Sequence, residues 1–221
     1  MLNIHSYYSF KFGVIKPDDL LSQAKEYGIT KMALTDINST SGSLIFVREA
    51  HKYNIKPVLG IDFRNGVKQQ FVGIAKNNEG FQELNEFLSS HLHQNIPIPF
   101  RAPVFKNVFV IYPFRKTPDF DLNENEFIGI RPADLPRLWS SKWRKQPEKL
   151  IAFPTITFRH KRDFNTHRLL RAIDNNTLLS KLPKTEEGDR NDLFQSPKEF
   201  ELLFTDYPYL LKNANYLLSQ C

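Results

Sequence analysis

Short apolar runs that each lead into a polar residue recur in the first third of the chain. Residues 1–4, 32–34 and 57–61 form such runs. Runs this short are typical of buried strands, because a strand needs few residues to cross a core. The polar residues at their ends are His5, Asp36 and Asp62.

Helical periodicity separates these runs. Residues 17–28 begin with proline and acids, carry apolar side chains at helical spacing and end in glycine, which predicts a helix. Amphipathic spacing recurs at residues 44–53 and 81–91. Alternating strands and helices predict a parallel sheet with right-handed crossovers, so the three polar residues are expected at one sheet edge.

The second half has shorter strand candidates and a helical tail. Further strands are expected at residues 70–75, 108–112, 127–130 and 150–153, and helices at residues 134–144, 163–175 and 208–220. A capping box from Ser196 to Glu199 predicts another helix start. We therefore predict an α/β unit at residues 1–185 and a helical extension at residues 186–221.

Composition favours a soluble globular protein, since 41% of residues are hydrophobic and 24% are charged. No apolar run approaches the roughly 18 residues of a membrane span, and no secretory signal pattern is present, so a cytoplasmic location is expected. Cys221 is the single cysteine, which rules out an internal disulfide or a thiolate zinc cluster. A metal site would have to use histidine and carboxylates.

The net charge of +6 and the pI near 9.3 favour a polyanionic neighbour. The densest basic stretches are residues 137–149 and 159–171. In both, a solvated helix face is the alternative interpretation. Possible DNA contacts in the second stretch are Arg159, Lys161, Arg162 and Arg168.

Metal-dependent phosphoester hydrolysis would need several histidine and carboxylate ligands at strand ends. The chain offers His5, Asp36 and Asp62, with more doubtful additions at His160, Asp163 and His167. These are few for a site with two or three metal ions. Each main candidate also has a structural interpretation, in which His5 bonds a neighbouring loop, Asp36 caps a loop and Asp62 pairs with Arg64 or caps a hairpin turn. The chain has no glycine-rich phosphate loop and no nucleophile elbow.

Ordered motifs resemble the polymerase and histidinol phosphatase (PHP) domain that begins the bacterial replicative DNA polymerase III alpha subunit. They are His5-Ser-Tyr-Tyr-Ser9, Ala33-Leu-Thr-Asp-Ile-Asn38, Lys56-Pro-Val-Leu-Gly-Ile-Asp62 and Ile74-Ala-Lys-Asn-Asn-Glu-Gly-Phe81. Residues 193–200 and 203–221 are similar to the segment that closes this domain before the polymerase core. The resemblance implies a distorted seven-stranded (β/α)7 barrel with a helical C-terminal extension and metals at the strand ends.

The metal pattern of that family is altered in this chain. The family's His-x-His is Asn3-Ile-His5, its aspartate before the first glycine is Phe12, and its Asp-His pair is Asp36-Ile37. A later family carboxylate is shortened to Asp62, and the late Asn-Asp-x-His element matches Pro154-Thr155-Ile156-Thr157. The comparison implies a metal-free, catalytically silent domain in which His5, Asp36 and Asp62 are vestiges of a cleft that Phe12 and Ile37 now fill.

The function implied by the resemblance is a structural and interaction module for DNA replication. Its expected partners are the rest of the polymerase alpha chain and other replication subunits, with DNA as a possible further partner and no membrane. No cofactor is expected in this segment, because magnesium and nucleotidyl transfer would belong to a polymerase core beyond Cys221. Two alternatives stay open, namely a residual metal-dependent phosphoesterase or 3′ to 5′ exonuclease using His5, Asp36 and Asp62, and a free-standing domain for protein or DNA binding.

Overall fold

The computed structural model describes residues 1–116 and 119–221. Their strands are β1 (Asn3–Ile4), β2 (Lys31–Leu34), β3 (Lys56–Asn65), β4 (Lys68–Ala75), β5 (Val108–Pro113), β6 (Glu126–Ile130), β7 (Leu150–Ala152) and β8 (Thr155–Ile156). Their helices are α1 (Pro17–Glu26), α2 (Ser43–Ala50), α3 (Asn78–Gln94), α4 (Leu135–Leu138), α5 (Lys161–Asp174), α6 (Pro197–Leu203) and α7 (Pro208–Ser219). Short 3-10 helices span His51–Tyr53, Pro132–Asp134, Lys142–Lys145, Pro147–Lys149, Leu179–Lys181 and Lys184–Glu186.

Six strands form one mixed sheet in the order β2-β3-β4-β5-β6-β7, and β1 pairs in parallel with β8. Strand β4 is antiparallel to both of its neighbours, whereas the other neighbours in the sheet are parallel. The backbone N–H groups of Ala33 and Thr35 donate to the carbonyls of Met1 and Ile4. Strand β1 therefore lies beside β2, and the carboxyl ends of β1, β2 and β8 are close together.

The predicted α/β class is confirmed, but a closed seven-stranded barrel is not. The expectation of purely parallel pairing is wrong for β4, since only Gly66 and Val67 separate it from β3. Two residues close a hairpin, whereas a parallel connection needs a dozen or more. Strand β3 also continues beyond the predicted end at residue 61, so Asp62 lies within the strand.

The single helix predicted at residues 134–144 is instead divided into short pieces. Helix α4 has only four residues, and the hydroxyl of Ser141 then accepts the backbone N–H of Trp143 to begin the 3-10 helix Lys142–Lys145. Serine favours such caps because its side chain satisfies an N–H that a helix start leaves unpaired. The sequence pattern missed this restart.

The helical tail packs onto the α/β sheet. Leu210 and Leu217 of α7 are buried in the apolar cluster of the large sheet, and the capping box between Ser196 and Glu199 at the start of α6 is confirmed. Lys31 bonds backbone carbonyls at the end of α7. The domain boundary between residues 185 and 186 stays a prediction. Among the described residues, no helix has the length and apolar character to cross a membrane.

Candidate functional site

The three candidate residues are all buried, and two of them are in direct contact. His5 follows β1, Asp36 follows β2 and Asp62 lies in β3, each with at most 2% of its surface exposed. His5 Nε2 lies 3.0 Å from Asp62 Oδ2. The carboxylate of Asp36 has different partners, although its backbone carbonyl accepts the N–H of Asp62. The predicted edge thus contains two neighbouring networks.

Asp62 is held by an arginine of its own strand. Residues two apart in a strand share one face, and Arg64 donates to Asp62 Oδ2 through Nε at 3.0 Å and Nη2 at 2.6 Å. Gln69 Nε2, on the adjacent strand, donates to the same oxygen at 2.9 Å. Burial alone would raise the pKa of Asp62, but the Arg64 guanidinium and then His5 hold that pKa at about 2. Asp62 is therefore a carboxylate whose charge Arg64 already neutralises.

Both ring nitrogens of His5 are occupied by hydrogen bonds. Parallel pairing of β1 with β8 brings the residues after these strands together, and His5 Nδ1 lies 3.0 Å from the hydroxyl of Thr157. Because ionised Asp62 can only accept, Nε2 carries the proton and Nδ1 accepts from Thr157. Burial lowers the pKa of His5, which keeps the ring neutral near pH 7. No lone pair of this imidazole is left for a metal.

Asp36 caps the loop that follows β1. Its carboxylate accepts the backbone N–H of Ser6 and the hydroxyls of Ser6 and Ser9, each at 2.7 Å. Burial raises the pKa of Asp36 to about 6, although the bonds from Ser9 and Ser6 oppose that rise. The loop-capping interpretation of Asp36 matches this geometry.

The raised pKa of Asp36 predicts a pH-dependent effect of Asp36→Asn. Between the ordinary value near 3.8 and about 6, native protein holds a proton that unfolded protein releases, so this carboxyl contributes stability at low pH that is lost as the pH rises through 6. Asparagine does not ionise, so the variant does not lose stability in this way as the pH rises. Relative to wild type, Asp36→Asn should become more stable by up to about 3 kcal/mol between pH 4 and pH 7.5. Urea unfolding at both pH values checks this, and an unchanged difference would contradict it.

Asn3, which stands at an altered family position, lies near a half-buried arginine that follows β6. Asn3 donates to Thr155 at 2.9 Å and accepts from Thr35 at 3.0 Å. Arg131 Nη2, just after β6, donates to Thr155 at 2.5 Å and to Asp192 at 3.0 Å. Burial raises the pKa of Asp192 to about 6 against the effect of Arg131. These contacts form a second buried network, centred on a guanidinium.

Phe12 packs into the cleft, as the sequence comparison implied. Only 6% of it is exposed, and the Arg64 guanidinium carbon lies 4.9 Å from its ring centroid. His167 packs edge-on to the same ring and donates from Nδ1 to the Phe12 carbonyl at 2.7 Å, while its Nε2 accepts the N–H of Gly188. Burial lowers the pKa of His167 to about 4. Ile37 is only half-buried.

Two of the doubtful metal candidates instead organise the start of α5. Asp163 accepts the backbone N–H groups of Arg159 and His160 at 2.8 and 3.2 Å. Capping of this kind uses the carboxylate lone pairs at the helix start. Within the described part of the chain, neither His160 nor Asp163 belongs to a group of three side chains that could hold a metal ion.

The side chains in the cleft do not fit the metal ions of the implied family. Within residues 1–116 and 119–221, no three histidine, cysteine or acidic side chains are arranged to hold a metal. A divalent ion on Asp62 Oδ2 would meet the like charge of Arg64, and His5 would have to give up a hydrogen bond. Apart from Asp62 Oδ1, the polar atoms of His5, Asp36 and Asp62 that could bind a metal already form hydrogen bonds with neighbouring groups.

The sequence patterns did not predict that Arg131, Asp192 and Gln69 take part in these networks. A signal existed for Arg131, because it directly follows an apolar run, as His5 does. Asp192 belongs to an irregular segment that is held by a β-bridge between Phe158 and Leu193. No local sequence pattern predicts that bridge.

The predicted DNA contacts on and before α5 are partly neutralised. Arg159 lies 3.4 Å from Asp19, and Arg168 lies 2.7 Å from Glu187. Lys161 and Arg162 are exposed and form no ion pair with a described carboxylate. Contact with DNA at these residues stays a prediction.

Comparison with known proteins gives one family and a consistent set of relatives. The sequence model of the PHP domain matches residues 2–112. The DNA polymerase III subunit alpha of Buchnera aphidicola subsp. Schizaphis graminum is 22% identical over 260 residues, covering 100% of this chain and 22% of the relative. That of Streptococcus pyogenes serotype M1 is 23% identical over 227 residues, covering 99% and 21%. The error-prone DNA polymerase of Symbiobacterium thermophilum is 33% identical over 94 residues, covering 42% and 9%.

The chain spans about a fifth of the length of the polymerase III alpha relatives. Among solved structures, an amidohydrolase from Chromobacterium violaceum with bound sulfate and no metal has a TM-score of 0.34 and 22% identity. That match covers 42% of this chain and 33% of the amidohydrolase.

Proposed function

The chain belongs to the PHP domain family, and from that premise we propose that it is a metal-free, catalytically silent PHP domain serving as a structural and interaction module of a replicative DNA polymerase in the cytoplasm. The named relatives are polymerase subunits of which this chain matches about a fifth. In this proposal, nucleotide addition, its magnesium ions and contacts with other replication subunits belong largely to the remainder of the polymerase.

The observation that carries the proposal is the pairing of Asp62 with Arg64. A guanidinium with a side-chain exposure of 9% makes two bonds to the buried carboxylate, so the cleft contains its own cation. A metal ion would have to displace that cation, and each buried ion left without a partner costs several kcal/mol. In this proposal, the pair of Asp62 and Arg64 stabilises the domain at the position where a metal ion would act as a Lewis acid.

An activity assay tests catalytic silence. We expect no turnover above the blank with a single-stranded DNA 3′ end or a simple phosphoester, with manganese or zinc added. His5→Ala is the matched control, since it removes the one imidazole that His-x-His has kept. Turnover that disappears in His5→Ala would refute the proposal, whereas turnover that persists identifies a contaminating enzyme.

A residual metal-dependent phosphoesterase or 3′ to 5′ exonuclease is the second candidate, and one observation favours it. Asp62 Oδ1 is buried and has no hydrogen-bond partner within the described part of the chain. Such an oxygen is a free acceptor in a cleft of the right family. Because Asp62 Oδ1 lies beside the Arg64 guanidinium, the other explanation is that its missing hydrogen bond is an energetic cost of burying the carboxylate. The assay with His5→Ala decides between a metal-dependent enzyme and a silent domain.

Chelation provides a further prediction. Since packing and hydrogen bonds fill the cleft, removing metal should leave the thermal unfolding midpoint unchanged. Differential scanning fluorimetry with and without EDTA measures this. A fall of more than about 5 °C would count against the proposal, since that shift corresponds to a kcal/mol or more.

A further inference from the structure

The exposed face of residues 135–149 combines an aromatic ring with exposed cations. We refer to Arg137, Trp139, Arg144 and Lys145 as the basic-aromatic patch. Trp139 is 65% exposed, which is uncommon for so large an apolar side chain. The guanidinium carbon of Arg144 lies 3.5 Å from its ring centroid. This stacking holds the indole in place while most of its surface stays open to solvent.

Buried neighbours fix the patch to the body of the protein. Leu138 is 1% exposed and Trp143 is 4% exposed, and these two side chains anchor the short helices on either side of Ser141. Trp139 follows the first anchor directly, and Arg144 follows the second. Anchoring of both turns sets the geometry of the stacked pair before any ligand arrives.

The charge of this face is largely uncompensated. Residues 135–149 contain five basic residues and one acid. Arg137, Arg144 and Lys145 are exposed, and none of them forms an ion pair with a carboxylate of the described residues. By contrast, the two arginines of α5 at residues 168 and 171 have carboxylate partners within 3 Å. The patch therefore offers a polyanion three exposed cations that no described carboxylate neutralises.

We propose that the basic-aromatic patch binds single-stranded nucleic acid, with one base stacked on Trp139 and flanking phosphates on Arg137 and Lys145. Single-strand sites combine aromatic platforms with cationic grooves, because every base has a flat face and every link carries a charge. Arg144 contributes a cation–π contact to the ring and a charge beside the backbone. This inference uses only the patch and holds whether or not the cleft binds metal.

Fluorescence of the intact chain tests the proposal. The two tryptophans are Trp139 and buried Trp143, so Trp143→Phe leaves Trp139 as the reporter. A short oligo(dT) or oligo(rU) should quench this emission saturably, with affinity falling as salt rises by a log–log slope of about −0.7 for each phosphate contact. Matched DNA and RNA strands show which sugar is preferred. A duplex should bind more weakly, because its bases are already stacked.

Two variants of the patch and one control locate the site. Trp139→Ala should weaken binding about 10-fold, as loss of a stacked base does. The double variant Arg144→Glu with Lys145→Glu should weaken it at least as much and flatten the salt dependence; anisotropy of labelled oligonucleotide reports both. Lys16→Glu with Lys25→Glu makes the same charge change at two exposed lysines on and before α1 and should leave affinity within about 2-fold. Unchanged thermal unfolding midpoints confirm that the variants are folded.

Several results would overturn the proposal. These are the absence of saturable quenching at low salt with both DNA and RNA, equal affinity for duplex and single strands, or an equal loss of affinity in the control at Lys16 and Lys25. Quenching by an acidic polypeptide but not by oligonucleotide would make the patch a protein-binding surface, and the proposal would be wrong.

Discussion

Asp62→Ala is expected to lower the free energy of unfolding by about 3–5 kcal/mol, because it leaves the buried Arg64 guanidinium without its carboxylate. Arg64 would keep the face of Phe12 beside it, where the ring centroid lies 4.9 Å from the guanidinium carbon. His5 Nε2 would also lose the acceptor now at 3.0 Å. Urea unfolding at neutral pH measures the change.

A double-mutant cycle separates the ion pair from general packing. Arg64→Met combined with Asp62→Leu removes both charges, so the double variant should be clearly less destabilised than the sum of its singles. Arg48→Ala is the control, since that side chain is 73% exposed in its pair with Glu49. It should cause no measurable change. Additive single effects, or an Asp62→Ala variant as stable as the control, would show that Arg64 does not neutralise the cleft.

Gly13→Ala is expected to destabilise the fold by about 3 kcal/mol, because the new methyl group would collide with backbone. A Cβ built on Gly13 would lie 1.8 Å from the carbonyl oxygen of Ser6. The Gly13 N–H also donates to the Ser9 carbonyl at 2.8 Å, so the loop cannot simply open. Relief of the clash would disturb the loop that carries Phe12 and the two serines on Asp36.

Gly28→Ala is the matched control for this clash. Gly28 has a positive φ of +68°, but a Cβ there would meet nothing within 4 Å. Only conformational strain of about 1 kcal/mol is then expected. Urea unfolding of both variants gives the comparison, and a Gly13→Ala variant no less stable than Gly28→Ala would contradict the close approach between the Gly13 and Ser6 backbones.

Local signals predicted the helices at both ends of the chain, because proline, acids and capping residues act within a few positions. The same locality gave Asp62 and Arg64 as a possible pair, because the two residues are close in the sequence. The longer strand β3 puts both of them on one face. The β3–β4 hairpin was also visible in Asn65-Gly66, a strong turn signal. The regular alternation of strands and helices instead led to the prediction of a parallel sheet.

Long-range contacts account for what the sequence did not predict. His5 meets Thr157 only because β1 pairs with β8, a partner 152 residues away. Arg131 reaches Asp192 across 61 residues. No local sequence pattern predicts either pair. The altered family positions therefore indicated which imidazole and carboxylates were missing, but not which side chains now form the hydrogen bonds in the cleft.

Metal content is the most direct test of a self-neutralised cleft. Protein purified without chelator, dialysed against manganese or zinc and freed of excess metal, can be analysed by inductively coupled plasma mass spectrometry. We predict well below one ion per chain, with no difference between wild type and His5→Ala. One or more stoichiometric ions that His5→Ala removes would contradict the account.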